Sequence, residues 1–316
     1  MPVKAAVLIT DTVHPILISG LTEQGFECHY QPDIDFENVN NIIQNYVGLV
    51  INSKITVDKK FLDKAVNLKF IARLGSGLEI IDLDYAETKG VKVHRSPEGN
   101  CDAVAEHAMG MLLTLANNIC KSDRELRQGI WNRELHRGWE LMGKTVGIIG
   151  FGYTGSAFAK RLSGFDCRIL VYDKYKKGFQ KDYPYIEETE MNLIFKESDV
   201  LSLHLPLTNE TRKLVVENFI NKFKKDFFLI NTSRGEVVDT KDLLTALNSG
   251  KIKGACLDVF DNEKPKTYSA EEQILFNELF TKENVVLTPH IAGWTKESKE
   301  RLSRILLDKI IRAYQF

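Results

Sequence analysis

Five polar side chains stand where apolar runs of this sequence stop: Asp173, His204, Arg234, Asp258 and His290. Their types suit one kind of chemistry. Reducing a ketone leaves an alkoxide that needs a proton, and an imidazole titrating near neutrality can supply it. A guanidinium can hold the carboxylate of a small acid through paired charge-assisted hydrogen bonds. Arg234 lies in the stretch NTSRG, directly after the apolar run 227–230. A charge there must be solvated, paired or met by an anionic ligand, because burying it unpaired is costly. Gly235 beside it lets the chain turn away. For the proton donor, His290 in TPHIAG competes with His204 in SLHLP. A lone histidine is more often structural than catalytic. What favours His290 is Glu263, in a loop after another strand, whose carboxylate would orient the ring and favour its protonated form. Glu263 read alone is an ordinary loop charge.

The elements between these residues must bring them together. At 316 residues the chain is about twice a typical domain, so two domains are expected. Its 42 basic and 43 acidic side chains leave a net charge of −1. That provides no field for gathering polyanions or anionic lipid, which argues against nucleic acid and membrane as partners. No secretory signal pattern and no run of about 18 apolar residues is seen, and the reading is a cytoplasmic protein. Cys28, Cys101, Cys120, Cys167 and Cys256 are odd in number and scattered, with no CxxC and no His/Cys cluster, so they read as reduced thiols and no metal site is expected.

Apolar runs at 5–10, 48–53, 69–74 and 91–96 predict strands, and Phe61, Leu62, Ala65 and Val66 predict a helix over 57–68. Further strands are expected at 146–149, 168–172, 199–203, 227–231, 252–259 and 285–287. This alternation predicts an α/β fold of doubly wound parallel sheets, in which ligands bind beyond the carboxyl ends of strands. The five polar residues fall there. One long helix is expected from Asp102 to about 126. The polar stretch after it carries Trp131 and Trp139, and reads either as a solvated arm or as a subunit contact with two aromatic anchors.

The segment TVGIIGFGYTGSAFAKRLSGFDCRILVYD adds a binding site. A lone GxGxxG is a weak signal, but here Gly150, Gly152 and Gly155 follow a buried strand and open an amphipathic helix, whose N-terminus can receive a pyrophosphate. Asp173 ends the next strand 18 residues after Gly155 (173 − 155), the place for a carboxylate that binds ribose hydroxyls. Asp173 would repel a 2′-phosphate, which favours NAD. Lys174, Lys176 and Lys177 follow it and leave NADP use open.

With these residues in view, the chain resembles the D-isomer-specific 2-hydroxyacid dehydrogenases, and among them members of the D-3-phosphoglycerate dehydrogenase type. The likeness runs through RLGSGLEIIDLDYAETKGVKV, NCDAVAEHAMGMLL, GKTVGIIGFGYTG, HLPLTNETRKL, INTSRGEVVDTKDLLTAL, GACLDVF and TPHIAGWTKES. The resemblance implies a catalytic Arg234, Glu263 and His290, with arginine on the substrate carboxylate and carbonyl, histidine as acid/base and glutamate supporting it. It implies that Tyr153, Thr154, His204, Leu205, Pro206, Thr232, Asp258 and Gly293 line the NAD, Asp258 near the carboxamide. It also implies that backbone around Gly75, Ser76 and Gly77 grips the substrate carboxylate, that Arg73 holds a phosphate, and that the protein is a homodimer.

The family fold implies two Rossmann-like domains: a flavodoxin-like substrate domain from 1–99 and 289–316, and an NAD-binding domain at 100–288 inserted into it. A stripe of Leu302, Ile305, Leu306, Ile310 and Ile311 on the last helix suits that docking. Two departures stand out. In VINSKIT, Asn52 occupies the place of an expected phosphate-binding arginine, with Lys54 as a substitute or as a solvated loop lysine. The chain also stops soon after its last helix, so a C-terminal regulatory domain is not expected. The implied reaction is oxidation of 3-phosphoglycerate to 3-phosphohydroxypyruvate in serine biosynthesis, with glyoxylate or hydroxypyruvate reduction as the alternative. Outside enzymes, the family includes NAD-sensing corepressors, the C-terminal-binding proteins. The lack of long flexible tails leans toward an enzyme, and Glu263 argues against the formate dehydrogenase branch, which carries glutamine there.

Overall fold

A computed structural model describes residues 5–314. The chain forms two compact units, one made of residues up to Cys101 together with those from Trp294 on, the other spanning Asp102–Gly293. The second junction therefore falls five residues beyond the expected 288 (293 − 288). Its cause is local: the backbone of 290–292 is hydrogen-bonded to Asp258 and stays with the second unit.

The first unit holds β1 (Ala6–Ile9), β2 (Glu27–Tyr30), β3 (Gly48–Ile51), β4 (Phe70–Arg73) and β5 (Lys92–Arg95). They form one parallel sheet in the order β2-β1-β3-β4-β5, the flavodoxin-like order. All of β3 is buried, as a parallel strand covered on both faces must be. Alternate residues supply two cores. Leu8, Leu49 and Ile71 face one, while Val7, Ile9, Val50, Phe70 and Ala72 face the other. The helix Lys296–Ala313 covers the second core with Leu306, Leu307 and Ile310, each burial contributing about 1.5–3 kcal/mol. Leu302 and Ile311 flank them, and Ile305 is only half-buried. Strand β2 has no apolar run to announce it; its sequence ECHY is that of a sheet edge. The helix expected over 57–68 spans only Lys59–Lys64, with Val57 paired to Ile81 and Val66 exposed.

The second unit holds β6 (Thr145–Ile149), β7 (Arg168–Tyr172), β8 (Glu187–Glu188), β9 (Val200–Leu203), β10 (Phe227–Asn231), β11 (Ile252–Leu257) and β12 (Val285–Leu287). All are parallel, in the order β12-β11-β10-β9-β6-β7-β8. Counted from β6, this is the dinucleotide-binding order with one extra strand, and the chain reverses direction across the sheet between β6 and β9. The long helix expected from Asp102 is two helices, Cys101–Ala116 and Ile119–Arg127. They break at Asn118, whose φ of 52° lies in the left-handed region that asparagine tolerates.

In the polar stretch that follows, the two tryptophans differ. Trp139 stacks on Phe228 with ring centroids 4.4 Å apart, so it anchors the stretch to its own unit; Trp131 is 78% exposed. Among the described residues no helix is long and apolar enough to cross a membrane, and all five cysteines are free.

Candidate active site

The NTSRG stretch is a side-chain-built turn at the end of β10. Asn231 Oδ1 accepts hydrogen bonds from Ser233 N (3.1 Å) and Ser233 Oγ (2.8 Å), and Asn231 Nδ2 donates to the Arg234 carbonyl at 2.9 Å. Arg234 Nη1 donates to the Ser233 carbonyl at 2.7 Å. Gly235 has a different reason from the one its sequence suggests. Its φ is not positive, so it is not needed for a turn. A Cβ at Gly235 would overlap the backbone carbonyl of Phe260, so glycine here permits contact between two chain segments. The second segment leads directly to Glu263. Gly235→Ala should therefore destabilise the protein by about 1–3 kcal/mol, the usual range for overpacking, with lower kcat; a wild-type Tm and rate in a thermal melt and steady-state assay would contradict this.

Glu263 Oε2 lies 2.8 Å from His290 Nδ1, and its Oε1 accepts a hydrogen bond of 3.4 Å from Phe260 N. Burial works to raise the Glu263 pKa. The hydrogen bond and charge of His290, the Phe260 N–H and the nearby Arg234 charge outweigh it and hold the carboxyl below its usual range. The sign follows: stability from this carboxylate is present at neutral pH and is lost as pH falls through the depressed value. With Nδ1 turned to Glu263, Nε2 is the nitrogen of His290 able to exchange a proton with a ligand. The structure thus pairs His290 with Glu263 and puts the Glu263 carboxylate within the field of Arg234.

His290 has a φ of 54°, a left-handed conformation for a residue with a Cβ. Asp258, only 1% exposed, holds the loop in that state. Its carbonyl accepts from His290 N at 2.8 Å, while Oδ1 and Oδ2 accept from Ile291 N and Ala292 N, each at 2.9 Å. Oδ1 also receives the Thr288 hydroxyl at 2.6 Å. Asp258 is thus a loop-holding carboxylate first. His204, the rival acid in the sequence, is overturned: burial pushes its pKa down to about 3, so it is neutral at working pH. Its Nε2 is 2.9 Å from Ser202 Oγ, its Nδ1 is buried without a partner, and its ring packs on Phe158.

The glycine turn after β6 fits a dinucleotide. Gly150 has a φ of 94° and a Cβ there would overlap the His204 carbonyl; one at Gly155 would overlap the Gly150 carbonyl. At Gly152, by contrast, a Cβ would meet nothing within 4 Å, so this is the open position of the cradle. Gly152 also caps the helix Tyr153–Leu162 without a side chain, leaving its N-terminus for an anion. Leu205 packs beside this turn into the core, and Pro206 leads out of β9, its carbonyl accepting the Thr211 hydroxyl at 2.6 Å. The Thr232 hydroxyl is buried with no hydrogen-bond partner among the described residues.

Asp173 Oδ2 accepts from Phe151 N at 2.7 Å, and Oδ1 from Tyr175 N and Lys176 N at 2.9 and 2.8 Å. Burial opposes its ionisation, but these three N–H donors and the Lys176 charge keep the carboxyl below its usual range. It is a fixed anion at the end of β7. The lysines after it are engaged: Lys174 with Glu210 at 2.7 Å, Lys177 with Glu190 at 2.9 Å, and Lys176 Nζ with the Phe151 carbonyl at 3.0 Å.

Tyr153 and Thr154 open the helix Tyr153–Leu162 and Gly293 ends the second unit, while the substrate-side candidates lie in the first unit. Gly75 has a φ of 140° and Arg73 packs over it, so a side chain at 75 would strike the guanidinium. Ser76 Oγ donates to Asn100 Oδ1 at 3.2 Å, Arg95 Nη1 donates to the Ser76 carbonyl at 2.9 Å, and Gly77 is buried. Arg73 Nε donates to the Asn52 carbonyl at 3.2 Å, and Asn52 N donates to Asp11 Oδ2 at 2.8 Å. Lys54 Nζ donates to the Pro32 carbonyl at 2.5 Å. Asp11, His107 and Thr288 were not singled out in the sequence, although His107 is the one basic residue in the apolar run AVAEHAMGMLL.

A glycine turn at the reversal point of a parallel sheet, beside an imidazole–carboxylate pair and an arginine, defines a dinucleotide-dependent oxidoreductase of small acids. Residues 109–292 match the NAD-binding domain of the D-isomer specific 2-hydroxyacid dehydrogenases. The chain is 38% identical to a hydroxypyruvate reductase of Thermotoga maritima over 88% of each chain. It is 32% identical to a D-3-phosphoglycerate dehydrogenase of Archaeoglobus fulgidus over 96% of this chain, but spans 56% of that relative's length. A D-lactate dehydrogenase of Aquifex aeolicus, solved with NAD and lactic acid, superposes with a TM-score of 0.85 at 30% identity, covering 98% of this chain and 94% of that one. The chain belongs to the D-isomer specific 2-hydroxyacid dehydrogenase family, whose members are NAD-dependent oxidoreductases.

Proposed function

We propose that this protein interconverts an unphosphorylated small 2-keto acid, hydroxypyruvate or glyoxylate, and its D-2-hydroxy acid, with reduction by NADH as the favoured direction. The observation that carries the chemistry is the 2.8 Å pair of His290 Nδ1 and Glu263 Oε2 within the field of Arg234. When bound, NAD(H) supplies or takes up the hydride. Arg234 holds the substrate carboxylate and polarises its carbonyl oxygen through its planar fork. His290 Nε2 gives a proton to that oxygen on reduction and takes it back on oxidation. Glu263 stays ionised, fixes the ring through Nδ1 and steadies its charged form. Asp173 takes the ribose hydroxyls, Thr232 and the glycine turn the rest of the dinucleotide, and Asp258 with Gly293 the nicotinamide end.

The preference for an unphosphorylated substrate rests on the first unit. Lys54, the substitute for the missing arginine at Asn52, is engaged by the Pro32 carbonyl, and Asp11 lies one hydrogen bond from Asn52. A second reading, oxidation of 3-phosphoglycerate in serine biosynthesis, is favoured by Arg73 at the end of β4. Initial rates with hydroxypyruvate, glyoxylate and 3-phosphohydroxypyruvate, each with NADH and NADPH, separate the two. We expect kcat/KM for an unphosphorylated acid to exceed that for the phosphorylated one by about tenfold or more, since a phosphate near Asn52 would gain no arginine from that position and would meet the like charge of the Asp11 carboxylate. The opposite ranking would establish the phosphoglycerate reading, and no turnover of any 2-keto acid would remove both. A homodimer is proposed from the exposed Ile130, Trp131, Leu135 and Met142, an apolar series suited to burial against a second copy. A cytoplasmic location is proposed from the five free cysteines.

A further inference from the structure

The loop bearing His290 is held from the helix Cys101–Ala116 as well as from Asp258. His107 projects from the helix Cys101–Ala116, and its Nε2 lies 3.0 Å from Thr288 Oγ1. The Thr288 hydroxyl is in turn 2.6 Å from Asp258 Oδ1 and 3.7 Å from Met111 Sδ. A hydroxyl has one proton, and a buried carboxylate at 2.6 Å claims it over a thioether, a weak acceptor. Thr288 Oγ1 must then act as acceptor toward His107, so His107 carries its proton on Nε2. The direction of the chain is fixed: His107 Nε2–H to Thr288 Oγ1, Thr288 O–H to Asp258 Oδ1. Asp258 Oδ1 and Oδ2 accept from Ile291 N and Ala292 N, and the Asp258 carbonyl accepts from His290 N. His107 Nε2 itself is 3.7 Å from Asp258 Oδ1, too far for a hydrogen bond, so it reaches the carboxylate only through the threonine.

We infer that His107 and Thr288 are positioning residues for the proposed reaction: they orient the Asp258 carboxylate, which holds the loop 288–292 so that His290 keeps the left-handed backbone that aims it at Glu263. A carboxylate with several acceptor lone pairs can rotate about its χ2 and trade donors. The threonine hydroxyl removes that freedom, because it donates to one oxygen from a fixed direction, and His107 keeps the hydroxyl from turning toward Met111. The left-handed backbone at His290 is disfavoured, so the loop depends on these bonds to stay in place.

This inference rests on the reading of His290 as the proton donor, and the test separates the two. The variants are His107→Phe and His107→Gln, Thr288→Val and Thr288→Ser, with His290→Asn as control. Glutamine keeps an N–H donor near the position of the imidazole Nε2, and serine keeps the hydroxyl. We expect His107→Phe and Thr288→Val to lower kcat for keto-acid reduction on the order of 10–100-fold, the scale of a misplacement of about 1 Å, with NADH affinity by fluorescence titration changed far less. Glutamine and serine should recover most of the rate. Hydrogen exchange at Ile291 and Ala292 should quicken in the phenylalanine and valine variants, a readout that requires no turnover. Wild-type kcat and exchange in those two variants would overturn the inference. If they lose rate and protection while His290→Asn keeps its rate, the loop assignment stands and the proton-donor reading fails. Should His107→Phe not fold, the valine and serine pair at 288 decides alone.

Discussion

Replacing His290 with asparagine is expected to lower kcat for keto-acid reduction by about 10²–10⁴, the usual contribution of a positioned acid/base, with little change in NADH affinity. Asparagine suits this test because it tolerates the left-handed φ of 54° that position 290 requires, so the loop keeps its hydrogen bonds to Asp258. A residue that dislikes this region would disturb Asp258 as well and confuse a lost proton with a displaced loop. Without the imidazole, Glu263 also loses the partner that most strongly favours its ionised form. His204 is buried, bonded to Ser202 and has its pKa pushed down by that burial, and His107 is engaged with Thr288, so neither is placed to replace it. Single-turnover rates, together with a fluorescence titration of NADH, measure the two effects separately. A near-normal rate would mean that the proton comes from bound water or another group.

The parallel sheets and the glycine turn were legible in the sequence because their signals are local. Three strands, Arg168–Tyr172, Phe227–Asn231 and Val285–Leu287, have the bounds expected of them. Fully buried parallel strands leave continuous apolar runs, and the turn residues after them are limited by backbone geometry. What escaped notice depends on contacts distant in sequence. Strand β2 has no apolar run, since an edge strand does not need one. The break at Asn118 within an otherwise helical pattern is a single-residue conformational choice. Gly235 looked like a turn residue, although its reason is the backbone of Phe260, 25 positions away (260 − 235). The chain from His107 through Thr288 to Asp258 joins three separate elements, and only the weak oddity of a histidine in an apolar helix marks it in advance.

The candidate pair His290 and Glu263 could be matched from the sequence only by treating strand ends as one rim, and the same logic discriminates poorly. It offered His204 and His290 on equal terms, because both end a strand of one sheet. Burial decides between them. A ring enclosed beside Phe158 with its Nδ1 out of contact with solvent cannot carry a charge. A half-exposed ring against a carboxylate can. Strand position thus selects candidates, and the local dielectric assigns their roles.

Arg234→Ala should reduce kcat/KM for the keto acid by about 10²–10⁴, from the loss of two charge-assisted hydrogen bonds at about 1.5–3 kcal/mol each, while NADH binding stays close to wild type. The fold should survive, because the turn that carries Arg234 is built mainly by the Asn231 and Ser233 side chains, to which the arginine adds its backbone carbonyl and a bond from Nη1 to the Ser233 carbonyl. Arg234→Lys tests the geometry of the fork. An ammonium restores the charge but not two parallel donors, so it should recover only part of the lost rate and leave KM for the acid raised. Alanine would also remove a cation that helps keep Glu263 ionised, so the carboxyl pKa should rise toward its ordinary value. The acid limb of the pH–rate profile would then move to higher pH. That shift distinguishes loss of a charge inside the site from loss of a distant surface charge, which would lower neither the rate nor the limb. Wild-type kcat/KM in the alanine variant would mean that the substrate carboxylate is held elsewhere.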